Sequence, residues 1–144
     1  MTMTRATGAL RTTFLAAVAM TAVACGDLTY PSAVKVAPTA SVFAVDSYAT
    51  FVVRNDSPKT IQVARCGDRV QVGLDRRVGG EWQNEMAGLC ILSYYGGPFM
   101  LAPGESVTDS VLVRSAGTFR VSVAYGTGDE RVLRQVESGA FTVE

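Results

Sequence analysis

Two hydrophobic patterns divide the chain. Phe14 to Ala24 is apolar except at Thr21, and the run ends in Cys25. From Ala40 onward the apolar positions recur in short runs of period two, with turn signals about every eight to twelve residues. Period two is the spacing of a strand with one buried face, because successive side chains point to opposite sides. Strands are predicted over 41–45, 48–54, 60–65, 70–78, 81–83, 107–113, 117–125, 131–136 and 140–143. The clearest is 117–125, with Phe119, Val121, Val123 and Tyr125 facing in and Arg120, Ser122 and Ala124 facing out. Asn55-Asp56-Ser57-Pro58 reads as a turn, because Asn and Asp bond their own backbone and Pro fixes φ. Gly79-Gly80 reads as a two-residue hairpin turn, since a primed turn needs φ > 0. Trp82 is expected to pack inward or across that hairpin. No helix is predicted after residue 25, and the pattern implies one all-β sandwich or barrel.

The N-terminal pattern has a different meaning. Arg5 and Arg11 precede the apolar run with no acid among them, and small residues lead into Cys25. A positive start, a short apolar helix and a small-residue cleavage site are the parts of a signal peptide. The run is about half the ~20 residues that a spanning helix needs, so a retained anchor helix is the weaker reading. Ala22-Val23-Ala24-Cys25 resembles a bacterial lipobox, although Ala22 stands where that motif commonly has Leu. The resemblance implies cleavage before Cys25 and lipidation of its thiol. Gly26 in place of Asp then implies the outer membrane. Ala22-Val23-Ala24 is equally an ordinary A-x-A site, which would leave a secreted or periplasmic protein with an unmodified Cys25. The predicted organisation is a signal peptide over 1–24, a lipidated N-terminus and flexible tether over 25–39, in which Val34–Ala37 could add a short edge strand, and a β domain over 40–144.

Composition changes the picture in three ways. The chain has 13 basic and 13 acidic residues. Loss of Arg5 and Arg11 with the signal peptide leaves a net charge of about −2, which argues against nucleic acid as a partner. There is no histidine, so Ser-His-Asp and Cys-His catalysis and His-based zinc sites are excluded within the chain. There are three cysteines. Once Cys25 is assigned to lipid, Cys66 and Cys90 remain as a pair in an oxidising compartment, and a disulfide is the favoured reading over two free thiols.

Several segments carry signposts of a known architecture. Phe51-Val52-Val53-Arg54-Asn55 stands before a turn, Pro103-Gly104-Glu105-Ser106 before a strand, and Ala116-Gly117-Thr118-Phe119 opens the next strand. Over 41–143 these resemble bacterial immunoglobulin-like domains, including the BsuPI-type proteinase inhibitors. The resemblance implies an immunoglobulin-like antiparallel β-sandwich. It implies little about activity, since that fold hosts unrelated functions. The signal peptide and the cysteine pair do not suit an intracellular inhibitor.

The candidate binding residues are aromatic. Tyr94, Tyr95 and Phe99 sit in a Gly-Pro loop and would give a rigid contact area, against the alternative that they cap one end of the domain. Trp82 could stack on a sugar ring, against a packing role. Arg65, Arg69, Arg76 and Arg77 could bind an anion, against a solvated face. Glu81 and Glu85 could form a carboxylate pair, and Asp129-Glu130 with Asp68 could hold calcium; nothing in the sequence places either set in a cleft. The resulting expectation is a noncatalytic envelope lipoprotein, not an enzyme, without cofactor or metal. Its partners would be the membrane, through the lipid, and an envelope protein or polysaccharide. The alternatives are a secreted proteinase-inhibitor-like domain and a hydrolase using carboxylates alone.

Overall fold

The computed structural model describes residues 33–86, 97–127 and 133–144. Among these there are strands and turns and no helix. The strands are β1 (Val34–Pro38), β2 (Val42–Phe43), β3 (Ser47–Asn55), β4 (Ile61–Val63), β5 (Arg65–Cys66), β6 (Arg69–Val70) and β7 (Val72–Val78). They continue as β8 (Glu81–Met86), β9 (Phe99–Leu101), β10 (Ser106–Val113), β11 (Gly117–Thr127), β12 (Arg134–Glu137) and β13 (Phe141–Val143).

A three-stranded antiparallel sheet has the order β1-β3-β10. The larger sheet is built round β11, the longest strand, whose two edges are each covered by a pair of short strands. Along one edge lie β7, paired with Phe119–Val123, and β4, paired with Tyr125–Thr127. Along the other lie β13 and β12. β8 extends the sheet beyond β7, β9 beyond β4, and β2 runs parallel to β13. The interruptions on both edges are bonded shut. Between β4 and β7 the chain loops out as the β5–β6 hairpin, whose base closes through Gln71 N–H to Ala64 O and Ala64 N–H to Ala124 O. Between β12 and β13 the Ser138 hydroxyl accepts the Val121 N–H at 2.9 Å, and Ser138 N–H bonds back to Val121 O.

The buried faces of the two sheets share one core. Val34, Phe51, Val53 and Val113 of the smaller sheet meet Ile61, Val63, Phe119, Val121 and Val123 of the larger. Each such side chain contributes roughly 1.5–3 kcal/mol by leaving water. Phe141 lies edge-on to Phe43 at 5.3 Å and stacks on Phe119 at 6.1 Å. The expected inward set of 117–125 is the buried set, but Ser122, expected to face solvent, is only 6% exposed. Strands on both edges of β11 wall in its outer face as well. The edge strand considered at Val34–Ala37 is present as β1. Val34 and Val36 are buried and β1 pairs with β3, so the domain already includes Val34.

Turn chemistry follows the sequence. Gly79 and Gly80 have φ of 59° and 92° and join β7 to β8 with Val78 opposite Glu81. Asp46 takes a left-handed φ of 57°, and the following Ser47 hydroxyl donates to Ala44 O. At one end of the molecule Asn55 is fully buried. Its Nδ2 donates to Lys59 O at 2.7 Å and Leu101 O at 2.9 Å, while Oδ1 accepts the Ser57 N–H and hydroxyl. Its backbone accepts from Gly104 N–H and donates to Glu105 O. The asparagine and the Pro-Gly-Glu-Ser turn, far apart in sequence, are therefore one bonded unit.

Candidate functional site: the outward face of the larger sheet

The chain has a single tryptophan, and it is not in the core. Trp82 lies on β8 opposite Arg77 of β7. Phe119 is a core residue and pairs with Arg76, so the next residue, Arg77, projects from the opposite, solvent side, and Trp82 with it. The Arg120 guanidinium carbon stands 4.7 Å from the indole centroid and that of Arg77 5.9 Å. Cations over an aromatic face are attracted by the ring quadrupole. Trp82 thus packs across the sheet, and the half-buried ring is held by one arginine of the adjacent β7 and one of β11 beyond it.

Arg120 is fixed in turn. Its Nε bonds Asp75 Oδ2 at 3.0 Å and its terminal nitrogen lies 3.7 Å from Glu137. Asn84 Nδ2 donates to the other oxygen of Asp75 at 3.3 Å. Asp75 is only 9% exposed, and those two partners offset the loss of water around its charge. Beyond Asn84 the same face carries a groove of about 220 Å³ lined by Gln71, Gly73, Asn84, Ser122, Ala124 and Gln135. Gly73 makes room for it: a Cβ there would sit 2.5 Å from Ser122 Oγ.

The other sequence candidates fall elsewhere. Phe99, on β9, is half-buried with the Arg65 guanidinium 4.9 Å above its ring. Tyr94, Tyr95, Cys25, Cys90, Asp129 and Glu130 lie outside the described residues. Cys66 is disulfide-bonded, and both other cysteines lie outside that range. The arginines considered for anion binding are engaged within the chain. Arg65 bonds Asp68 and the carbonyl of Gly67, Arg69 bonds Asp109 and Ser110, and Arg76 donates to Ala116 O at 2.7 Å. Glu81 and Glu85 are exposed on β8, and Glu85 accepts from the Ser115 hydroxyl at 3.2 Å. Among the described residues no acidic or cysteine cluster has the makings of a metal site.

A second concavity, of about 630 Å³, opens between β10 and the β7–β8 hairpin. Its floor is Val70, Leu74, Val111 and Phe119, and its rim carries Arg69 and Arg114. Sequence reasoning named Trp82 but missed Asp75, Asn84 and Gln135. The outward alternation of β11 flagged Arg120 and Ser122. Which residues of β7, β8 and β12 stand beside them depends on register, and periodicity does not carry that.

No family model matches the chain, and no curated protein matches it. Among solved structures it is similar to the alkylpurine DNA glycosylase AlkC of Pseudomonas fluorescens, bound to DNA containing an abasic site analog. The identity is 17% and the TM-score 0.35; the match covers 77% of this chain and 30% of that one, so this chain spans under a third of its length. The expectation that the chain is not an enzyme is withdrawn: this neighbour is an enzyme, and so weak a likeness settles activity in neither direction. A TM-score of 0.35 carries no activity across.

Proposed function

We propose that this chain is an envelope-anchored binding module: an immunoglobulin-like β-sandwich, tethered by a lipid on Cys25, that holds its partner against the outward face of the larger sheet at Trp82. The observation that carries the reading is the placement of the only tryptophan on the solvent side, braced by Arg77 and Arg120. A large ring held rigid at a surface gives contact area with little ordering entropy left to lose, which is why tryptophan and arginine dominate binding hot spots.

The strand order supports the sandwich. β1, β3 and β10 stand where A, B and E stand in an immunoglobulin domain. β12 with β13, β11, and β4 with β7 stand where G, F and C do, with β8 in the place of C′. The first strand changes sheets between β1 and β2, pairing with β3 and then with β13. The lipobox-like run before Cys25 supports the anchor, and Gly26 supports the outer membrane. A partner made of protein or polysaccharide, not nucleic acid, fits the near-neutral charge.

The test is retention of the full chain on envelope material from its own cells. Trp82→Ala is expected to lose retention while its circular dichroism and thermal unfolding stay as in the parent. Equal retention of the variant would remove the site from the reading.

A further inference from the structure

The geometry points to a ligand class for this face: a neutral glycan, with one sugar ring seated in the groove beside Trp82 and the next stacked on the indole. The inference rests on the binding-module reading and deepens it.

Three observations carry it. The first is an unspent polar group. Ser122 is 94% buried and lines the groove, yet its hydroxyl has no hydrogen-bond partner among the described residues. No fully buried side-chain nitrogen or oxygen lacks a partner among those residues, so this hydroxyl meets solvent, and the groove is its opening. The Gln135 amide, exposed at the rim of the groove, makes no hydrogen bond among them either. The Asn84 amide uses a hydrogen on Asp75 and keeps its carbonyl oxygen. A hydroxyl donates and accepts, and a carboxamide does both at neighbouring atoms. Together they match the adjacent hydroxyls of a sugar ring, which also do both.

The second observation is charge. No residue that lines the groove is ionisable. The ion pairs next to it are self-contained, with Arg120 between Asp75 and Glu137. An anionic or cationic ligand gains nothing specific there, whereas a neutral one avoids desolvating a charge.

The third is size and continuity. At about 220 Å³ the groove is smaller than the roughly 300–1,000 Å³ of pockets that enclose a whole small molecule. It takes a single ring of a chain that runs on across the surface. Trp82 and Asn84 are two residues apart on one strand, so their side chains share a face about 7 Å apart. The apolar face of a second ring lies on the indole at that spacing.

The test uses the single tryptophan as its own reporter. The full chain is titrated with soluble neutral polysaccharides (dextran, laminarin, glucomannan and xyloglucan) and, in parallel, with alginate and heparin, while tryptophan emission and mobility in polysaccharide-loaded native gels are followed. At least one neutral polymer is expected to shift the emission and retard the protein. Ser122→Ala and Gln135→Ala are each expected to weaken binding roughly 5- to 10-fold without changing thermal unfolding, and Trp82→Ala to abolish it. Response to the acidic polymers alone, or unaltered binding by both groove variants, would overturn the assignment. Silence from every neutral polymer would overturn it too. If envelope retention through Trp82 persists in that case, the binding-module reading stands and the partner is a protein; if retention is also absent, both fall.

Discussion

At the residue scale, Asn55 has the most at stake for its size. Four hydrogen bonds leave one buried carboxamide for two stretches of chain, the Ser57–Lys59 turn and Leu101. Asn55→Ala takes a buried donor from the carbonyl of Leu101, while Lys59 O keeps the Ser57 hydroxyl, and an unsatisfied buried group costs about 1–3 kcal/mol. A loss of about 1–3 kcal/mol in denaturant unfolding is expected. Asn55→Asp is expected to be no better, because a carboxylate would face those two carbonyls. One residue on, Asp56 is exposed and behaves differently. The Lys35 ammonium at 2.7 Å is the larger cause, and Arg54 at 2.7 Å the smaller, of a carboxyl held below its ordinary 3.8. A folded value below the unfolded one means that the pair stabilises above the unfolded value, and that this is lost as pH falls through the folded one. Lys35→Met is expected to raise the Asp56 midpoint in an NMR titration and to leave neutral-pH stability nearly unchanged, as exposed pairs contribute little. An unmoved midpoint would assign the shift to Arg54. The turn at Asn55 was legible in the sequence from its Asn-Asp-Ser-Pro run. Its union with the Pro-Gly-Glu-Ser turn was not, since nothing local links residues 55 and 104.

At the element scale the sequence carried most of the strands and little of their company. β3, β10 and β11 announce themselves because their apolar residues recur at every second position, although β11 also buries Ser122 of its outer face. The β5–β6 hairpin was half legible. Cys66-Gly67-Asp68 reads as a turn, and Gly67 has a φ of 61° there. The tertiary tie is an acid on another sheet. Asp109 of β10 accepts Arg69 Nε at 3.0 Å and the Val70 N–H at 2.5 Å. This clamps the hairpin to the smaller sheet and covers one stretch of an otherwise open edge strand, which is how edges are kept from pairing with other chains. Asp109→Ala removes both bonds. Faster hydrogen exchange at the Val70 amide is expected, by tenfold or more on the basis of ~1.5–3 kcal/mol for a charged hydrogen bond. The Val121 amide, bonded to Ser138 on the far edge, should exchange as before. Uniform acceleration would mean that the hairpin and the core open as one unit.

At the scale of the whole molecule the question is how a small domain is kept both folded and in place. The described core is one cluster of mostly valines, with few large rings, and a domain of this size buries a modest fraction of its surface. A covalent staple matters more in such a case. The bonded Cys66 is part of the clamped hairpin, so the proposed bond to Cys90 would tie that hairpin to a second stretch of chain. Closing a loop of about 25 residues is worth about 3 kcal/mol in the chain-entropy account. The proposed lipid on Cys25 adds nothing to that sum but fixes the location, since several acyl chains hold where one does not. The two roles separate experimentally. Cys90→Ser is expected to lower unfolding stability by about 3 kcal/mol and to leave the protein in the membrane fraction. Cys25→Ser is expected to do the reverse, releasing the protein with its unfolding unchanged. Intact mass before and after reduction completes the assignment. Residues 25–144 plus acyl groups, gaining two hydrogens on reduction, are expected from membranes. The unmodified mass in the soluble fraction would make Cys25 a free thiol, and the groove beside Trp82 would then have to find its ligand in solution.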